Sequence, residues 1–533
     1  MPLGRSFGCV LFSSFIFVAA IICTLIFFME PRWETNDDVG MSMVAHGYGM
    51  ASVGSPRLIF SNVLWGWLVR LIPNIGGVVG YSIATLATIT VVGSVLLAAV
   101  VKSGRGVAIA SGLMFLLLPR AILFPQFTVN AGLLAVAAIA CWHVASKQKN
   151  LLAAALGCVL FFLGYLIRSH EVVLVVLVAA PLFPWRQMIA SRPISYGLLC
   201  VAGSLAAASF YDYTAYQGQE WKRFNELNLA RAPYTDFNIV ERLTQRPDIL
   251  SRYDYSVNDV GLIQSWFFAD PVIADPAKLK AMAADLGAIP GKEAALEGGL
   301  ASVIALLHPS LIYVLGAALL VGLYRRNWRV GICWLFFLSI AFVLGVLGRP
   351  GTLRIYVPVA FLLLLAPLLV AGRRFENTHR ALGLILCALG LMNFYSVLSE
   401  SMQERKKSFA LRADFVDFPT YPVVAWGAAL PYEAIFPVLG DINQMSKKKI
   451  YALGAFTWAP FSLAYTEQQV GRGFQTLFSR GEGVPVIGVL PLLGVYCKER
   501  MNGNLTMRPL RSFGSSELTM LKCNDARQLA VAH

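Results

Sequence analysis

Long apolar runs dominate the pattern of hydrophobic and polar positions along the chain. A run of about 20 apolar residues can cross a bilayer as a helix, and the boundaries of shorter runs are predicted to within a few residues. No small-residue cleavage site follows the first run, so we predict that it is retained. The pattern predicts a mainly α-helical, polytopic membrane protein with about eleven transmembrane helices, at residues 6–28, 76–101, 106–124, 131–146, 150–167, 172–184, 194–211, 310–324, 330–348, 355–372 and 381–398.

The segment between the first two runs contains a shorter amphipathic stretch. Residues 59–72 include Asn62 and Arg70 among apolar side chains, and they carry Trp65 and Trp67. Tryptophan is typical of the membrane–water interface, and a short helix with one polar side lies in that plane rather than across it. We therefore predict an interfacial helix in the first outer loop, residues 30–75.

Composition supports a membrane protein and excludes other classes. Hydrophobic residues make up 57% of the 533-residue chain, charged residues 14%, and the mean hydropathy is +0.63. A typical soluble domain has about 25% charged residues, so these values exclude a disordered chain and an ordinary soluble protein. The formal charge of +14 fits cations that flank membrane spans and contact anionic lipid. No basic module with interleaved aromatic residues is present, so we predict membrane lipid and no nucleic acid as partners.

The distribution of lysine and arginine predicts the orientation of the helices, because short cytoplasmic loops carry an excess of both. With a cytoplasmic N-terminus, the inner side holds Arg5, Lys102, Arg105, Lys147, Lys149, Arg186, Arg192, Arg325, Arg326, Arg329, Arg373, Arg374 and Arg380. The outer loops and span ends hold fewer, namely Arg32, Arg57, Arg70, Arg120, Arg168, Arg349 and Arg354. An odd number of spans then places the C-terminus outside the cytoplasm, in the periplasm or extracellular space.

Two long hydrophilic stretches, 212–309 and 399–533, fall on the outer side in this topology. The second alternates β-rich runs, at 421–426 and 484–489, with turn residues, which predicts a small α/β or α+β domain. We therefore predict a transmembrane domain at 1–398, which includes the outer loops 30–75 and 212–309, and an extracytoplasmic domain at 399–533. Cys497 and Cys523, the two cysteines outside apolar segments, could form a disulfide there or stay free.

The first outer loop carries three carboxylates, Glu34, Asp37 and Asp38, directly beyond the first span. One interpretation is structural, since Asn36 or Asp37 would cap a helix at 39–45. The other is functional, because acidic groups at a membrane surface are costly unless they are paired or solvated.

With their context, these residues resemble the GT-C superfamily of polytopic glycosyltransferases, which take a sugar from a polyprenyl phosphate and transfer it outside the cytoplasm. An acidic motif in the first outer loop, followed by interfacial helices, is the hallmark of that superfamily. The resemblance covers the membrane portion by layout, and no motif of the C-terminal domain contributes to it. The residues that carry it are Asn36-Asp37-Asp38, Phe60-Ser61-Asn62 with the helix at 65–68, Pro125-Gln126-Phe127-Thr128, Leu166-Ile167-Arg168-Ser169 and Trp266-Phe267.

The resemblance implies roles for the acidic pair in inverting transfer. Asp37 aligns with the catalytic base, which takes the proton of the acceptor hydroxyl, and Asp38 with its partner. Many relatives have Asp-Glu where this chain has Asp-Asp, so a divalent cation at Asp37/Asp38 is also an expectation. Glu34 and His46 are further candidates in the same loop.

Arginines on the outer side are candidates for binding the donor phosphate, because a planar guanidinium binds phosphate through two hydrogen bonds. Arg168 ends the fifth predicted span and is followed by His170 and Glu171, which we include as supporting candidates. Arg349 and Arg354 bracket residues 350–353 between the ninth and tenth spans. Alternatively, these cations reach lipid headgroups without a catalytic role.

The leading hypothesis is a glycosyltransferase that moves a sugar from a polyprenyl-phosphate donor to an envelope glycan, lipid or protein acceptor. The sequence has no zinc-binding His or Cys spacing, no Walker loop and no Rossmann fingerprint, which argues against ATP or NAD chemistry. The alternatives are a polysaccharide polymerase and a transporter or flippase of lipid-linked glycans. The expected location is the bacterial inner membrane.

Overall fold

The structure is a computed structural model of the chain. It describes residues 6–104, 107–287, 292–349, 353–370, 378–426, 429–454, 456–488, 490–514 and 516–525. The cations Arg5, Arg105, Arg373 and Arg374, used above to predict the orientation, lie outside the described residues, as does the segment 350–352.

The described chain is mainly helical and ends in a small mixed domain. Helices of the membrane portion and its loops are α1 Phe7–Phe28, α2 Asn36–His46, α3 Val63–Leu71, α4 Gly80–Lys102, α5 Val107–Leu123, α6 Phe127–Gln148, α7 Leu151–Ala179, α8 Trp185–Ala190, α9 Arg192–Ala215, α10 Gln219–Thr235, α11 Val240–Thr244, α12 Pro247–Arg252, α13 Val257–Gln264, α14 Pro276–Leu286, α15 Lys292–Ile304, α16 Pro309–Arg325, α17 Trp328–Val346, α18 Leu353–Val370 and α19 Thr378–Asp414. The C-terminal elements are β1 Val423–Ala425, α20 Tyr432–Ile435, α21 Ile442–Met445, β2 Ile450–Ala452, α22 Leu463–Gln469, α23 Phe474–Ser479, β3 Val484–Ile487, α24 Leu490–Met501, β4 Gly503–Phe513 and β5 Ser516–Asp525.

Eight helices of the described chain are long and apolar enough to cross a membrane, and a bent pair, Ala295–Leu307 with Pro309–Arg325, would add a ninth. The protein is therefore a multi-pass membrane protein, as predicted. The number eleven is not confirmed by length and composition. The difference lies at this bent pair, at the shorter helix Ala108–Leu123 and at Leu151–Leu182, which covers two of the predicted spans.

Helix α7 is broken at Arg168 and folds back on itself. Arg168 has extended backbone angles, φ −157° and ψ 93°, inside an otherwise helical segment. A Cβ atom placed on Gly164 would lie 3.1 Å from Cγ2 of Val172, whereas residues eight positions apart in a straight helix are separated by about 12 Å. The two halves of α7 are therefore antiparallel neighbours.

The first outer loop satisfies the backbone groups that this break exposes. A helix end leaves carbonyl oxygens without partners in the helix. The backbone N–H of Asn62 donates to the carbonyl oxygen of Leu166 at 2.8 Å, and the Ser61 hydroxyl donates to that of Ile167 at 2.7 Å. The Arg168 guanidinium donates to the carbonyl oxygen of Phe60 at 3.1 Å. Two motifs far apart in sequence thus meet, and their contacts hold Arg168 beside the outer loop.

Apolar side chains on the outside of the bundle form the surface that lipid covers. Such exposure is unfavourable in water and favourable in hydrocarbon. Helix α6 lies at the centre and is buried along its length. The short helix α3 also exposes an apolar face, formed by Trp67, Leu68 and Leu71, as expected for an interfacial helix. Exposed apolar side chains of the bundle include Phe12, Phe15, Phe17, Leu199, Phe210, Leu320, Leu323, Leu335 and Leu384.

The C-terminal domain contains a five-stranded sheet in the order β2-β1-β3-β5-β4. Strands β2, β1 and β3 are parallel, and β3–β5 and β5–β4 are antiparallel, so the domain is mixed α/β. Both β-rich runs of the sequence form strands, at Val423–Ala425 and Val484–Ile487. The predicted boundary at residue 399 falls inside α19, which continues to Asp414. Cys497 and Cys523 form a disulfide, with their Cα atoms 5.6 Å apart.

The first outer loop, the loop 212–309 and the C-terminal domain meet on one side of the bundle. The N–H of Ser52 donates to the carbonyl oxygen of Phe461 at 2.9 Å, and that of Phe268 to Leu453 at 3.0 Å. The indole of Trp458 donates to the carbonyl oxygen of Phe268 at 2.8 Å. The two long hydrophilic stretches therefore lie on the same side, as the topology predicts.

Candidate active site

A cavity of about 320 Å³ lies where these three segments meet. Its wall contains one carboxylate, Asp37, and five aromatic rings. Such a concave, mainly aromatic pocket with one charged group is typical of a ligand site. The lining residues are Asn36, Asp37, Gly40, Met50, Phe60, Trp266, Ala425, Trp426, Tyr432, Ala452, Gly454 and Phe456.

The two aspartates at the start of α2 occupy different environments. Asp38 is fully buried, and its Oδ1 accepts hydrogen bonds from the Tyr81 hydroxyl and the Phe127 N–H, both at 3.0 Å. Burial, followed by repulsion from Asp37, raises the pKa of Asp38 well above its ordinary value. Asp38 therefore anchors the first turn of α2 to α4 and α6, and this anchoring directs Asp37 toward the cavity.

Asp37 forms an ion pair with Arg354 at the beginning of α18. The distance between Oδ2 of Asp37 and a guanidinium nitrogen of Arg354 is 2.5 Å, and the two side chains are 28% and 30% exposed. Partial exposure leaves both groups accessible to a ligand. Asp37, the predicted base, and Arg354, a predicted phosphate ligand, are therefore in direct contact.

Two further arginines lie against aromatic walls of the cavity. The guanidinium carbon of Arg168 is 5.8 Å from the ring centroid of Phe60, and that of Arg231 is 4.6 Å from the ring centroid of Trp266. The charge of Asp37 acts on both of these arginines. Two of the aromatic residues that line the cavity, Phe60 and Trp266, therefore each have a guanidinium over the ring.

Arg349 completes the group of cations. Its guanidinium is 3.9 Å from Asp236 and lies over the ring of Phe237, with 5.2 Å between the guanidinium carbon and the ring centroid. It acts electrostatically on Arg168 and on Arg231. We call Arg168, Arg231, Arg349 and Arg354 the arginine cluster. Two carboxylates pair with members of this cluster: Asp37 with Arg354, and Asp236 with Arg231 and Arg349.

Arg231 is a member of the cluster that the sequence does not predict. It lies in α10, and its side chain is almost fully buried by Trp266, Asn228 and Thr235. An arginine in a long hydrophilic loop is ordinary, whereas an arginine at the outer end of a span departs from the excess of cations on the cytoplasmic side. The one available signal was Trp266, which the resemblance includes and which Arg231 contacts.

Four other candidates are not part of the cavity lining. Glu34 forms an ion pair with Arg120 of α5 at 2.8 Å and connects the loop to the bundle. His46 accepts a hydrogen bond from the N–H of Tyr81 at 3.0 Å and thereby caps α4. His170 is exposed, and Glu171 is buried beside the arginine cluster. Glu34 and His46 are thus engaged in structural contacts away from the cavity lining.

The contact of His46 makes stability depend on pH. Burial, with the charge of Arg70, lowers the pKa of His46 from 6.5 to about 4. The unfolded chain therefore binds more protons between these two pH values, so the free energy of unfolding falls as pH decreases through this window.

We expect the melting temperature in detergent to drop between pH 7 and pH 5. His46→Gln keeps an acceptor for the Tyr81 N–H and should reduce this drop, and an identical pH profile would contradict the assignment.

The expectation of a divalent cation at Asp37/Asp38 does not match the donor set. The described residues contain no group of three or more His, Cys, Asp or Glu side chains placed to share a metal. Hydrogen-bond donors occupy both oxygens of Asp38, and Arg354 occupies one of Asp37. A divalent cation needs several free oxygen ligands, so no step of the reaction proposed below uses one.

The fold and the site define a polytopic helical membrane protein with a pocket whose one carboxylate, Asp37, pairs with a member of the arginine cluster. No protein-family model and no curated protein matches the chain. Two solved structures of ArnT from Cupriavidus metallidurans align with 95% of this chain and 97% of theirs at 12% identity: the apo state, with a TM-score of 0.38, and the state bound to undecaprenyl phosphate, with 0.33. ArnT is a GT-C glycosyltransferase, the superfamily that the sequence motifs resemble.

Proposed function

We propose that the protein is a membrane glycosyltransferase that moves a sugar from a polyprenyl-phosphate donor to a hydroxyl of an envelope glycan, lipid or protein. The observation that carries this proposal is the contact between Asp37 and Arg354 at the wall of the cavity. Transfer from a phosphate donor requires a base for the acceptor and cations for the leaving group. Here both kinds of group lie in one place.

Asp37 is the proposed base, and Asp38 holds it in position. A general base must reach the acceptor, and Asp37 lines the cavity whereas Asp38 is fully buried and bonded to Tyr81 and Phe127. The aromatic rings of the wall offer flat apolar surfaces on which a sugar ring can lie. The roles of the two aspartates follow from this difference in burial.

The proposed reaction is a single displacement. The oxygen of the acceptor hydroxyl bonds to the anomeric carbon of the sugar while the bond from that carbon to the phosphate oxygen breaks. The hydroxyl proton passes to the Asp37 carboxylate. The electron pair of the broken bond leaves with polyprenyl phosphate, whose charge the arginine cluster stabilises. Attack opposite the phosphate inverts the configuration at the anomeric carbon.

The membrane position of the site suits a lipid-linked donor. Interfacial helix α3 follows Phe60 of the cavity wall, and Arg168 and Arg354 lie at the break of α7 and at the beginning of α18. A phosphate at headgroup level would therefore be near the arginine cluster while its prenyl chain stays in the bilayer. We place the site on the periplasmic or extracellular side of a bacterial inner membrane, with the N-terminus in the cytoplasm and the C-terminal domain outside.

Purified protein in liposomes, given radiolabelled polyprenyl-phosphate sugars, tests the proposal. We expect one donor sugar to be consumed, with release of polyprenyl phosphate and transfer of the label to an acceptor fraction. A ladder of products would indicate a polymerase instead. Label that crosses the bilayer still attached to its lipid would indicate a flippase and would contradict the transferase.

A further inference from the structure

Glu171 is a buried carboxylate to which the steps above give no role. The residue is 3% exposed, and its Oε1 atom has no hydrogen-bond partner among the residues that the structure describes. An unpaired oxygen on a buried carboxylate costs free energy. Such a group in a native structure calls for an explanation, for example a functional role, a partner in another state or a bound water.

The packing places Glu171 between α6 and α18, close to Arg354. A Cβ atom on Gly132 would lie 3.1 Å from Cγ of Glu171 and would also overlap the ring of Pro358. Glycine therefore leaves the gap through which the Glu171 side chain passes. Pro358 lies four residues after Arg354 on the same face of α18, so Glu171 lies about one helical turn below Arg354. Arg168 and Arg354 are the charged groups that act on Glu171.

The donor phosphate competes with Asp37 for the guanidinium of Arg354. In the ion pair, Oδ2 of Asp37 accepts a hydrogen bond from one guanidinium nitrogen, which uses one of the five N–H donors of the arginine. A phosphate that attracts Arg354 weakens its pairing with Asp37, and a second carboxylate beside the guanidinium keeps the cation paired when this happens.

We propose that Glu171 is a positioning residue, the carboxylate to which Arg354 turns when the donor phosphate binds. This inference rests on the proposed function. A guanidinium has five N–H donors on different edges, so Arg354 can bond to Glu171 through one edge and to the phosphate through another. The exchange releases Asp37 only when the donor is bound. We therefore expect the donor to bind before Asp37 takes the proton of the acceptor hydroxyl.

A double-mutant cycle on the binding of a short-chain polyprenyl phosphate tests this proposal. Glu171→Gln keeps the size of the side chain and weakens the contact with Arg354, so we expect binding to weaken about tenfold. In an Arg354→Ala background, the same substitution should change binding little, because its effect passes through Arg354. A residue that only fills space would instead give the same loss in both backgrounds.

Two results would overturn the inference: unchanged or tighter binding in Glu171→Gln, as simple removal of a negative charge predicts, or equal losses in both backgrounds. If the Glu171→Gln protein does not fold, Glu171→Asp provides the same cycle with a shorter carboxylate and an intermediate loss. Wild-type protein that binds no polyprenyl phosphate would contradict the proposed function itself. If the wild type binds polyprenyl phosphate normally but the effects of the Glu171 and Arg354 substitutions are additive, only the proposed role of Glu171 is wrong.

Discussion

Asp37→Asn should reduce turnover by at least about 100-fold, because general-base catalysis contributes roughly 10²–10⁴-fold in rate. Asparagine keeps the shape of the side chain and removes the basic oxygen. Binding of polyprenyl phosphate should be kept or tightened, since Arg354 then loses its anionic partner at the cavity wall. Two quantities are measured for each protein: its turnover with the donor sugar that the wild type consumes, and its equilibrium binding of polyprenyl phosphate. Together they separate a loss of catalysis from a loss of binding.

The chain offers a matched control for this substitution. Glu30 and Arg412 form an ion pair at 2.6 Å with side chains 29% and 31% exposed, which closely resembles Asp37 and Arg354. Glu30→Gln should leave turnover near the wild-type value, because this pair lies away from the cavity lining.

Asp38→Asn should cause a smaller loss than Asp37→Asn. Near-native turnover of Asp37→Asn with loss in Asp38→Asn would reverse the two roles, and near-native turnover of both would remove the proposed function.

Much of the fold follows from local apolar patterning. The break in α7 was visible because Arg168, Ser169, His170 and Glu171 interrupt two apolar runs, and polar side chains at that depth require a loop or a partner. The end of α19 could not be predicted in the same way. Apolar character stops at residue 398, but the residues that follow are rich in Glu, Gln, Lys, Arg and Ala, which favour helix in water. Hydropathy marks where a helix leaves the membrane and not where it ends.

The site could be predicted only where its residues depart from the rules for membrane proteins. Asp37, Arg168 and Arg354 are charges at outer span ends, so each required an explanation. The burial of Asp38 could not be predicted, since it depends on Tyr81 and Phe127 from two other helices. Glu34 and His46 shared the loop with Asp37, yet proximity in sequence does not imply a shared cavity.

Arg354→Lys should weaken binding of polyprenyl phosphate about tenfold, and Arg354→Ala about 100-fold. Lysine keeps the charge but has no planar fork, so it cannot bond to a phosphate and to a second carboxylate in a fixed geometry. Because Arg354 is the cation closest to the proposed base, its loss should also lower turnover at saturating donor. Titration of each variant with polyprenyl phosphate and measurement of its turnover check both expectations.

Arg412→Lys is the matched control, because Arg412 forms the similar ion pair with Glu30, and it should bind polyprenyl phosphate as the wild type does. If charge alone attracts the phosphate, Arg354→Lys should bind normally and only Arg354→Ala should be weak. If Arg354 serves only to hold Asp37 in place, Arg354→Ala should lose turnover without losing affinity for polyprenyl phosphate. A loss of affinity in Arg354→Lys, with normal binding in Arg412→Lys, is the result that distinguishes a fork bonded to phosphate from both alternatives.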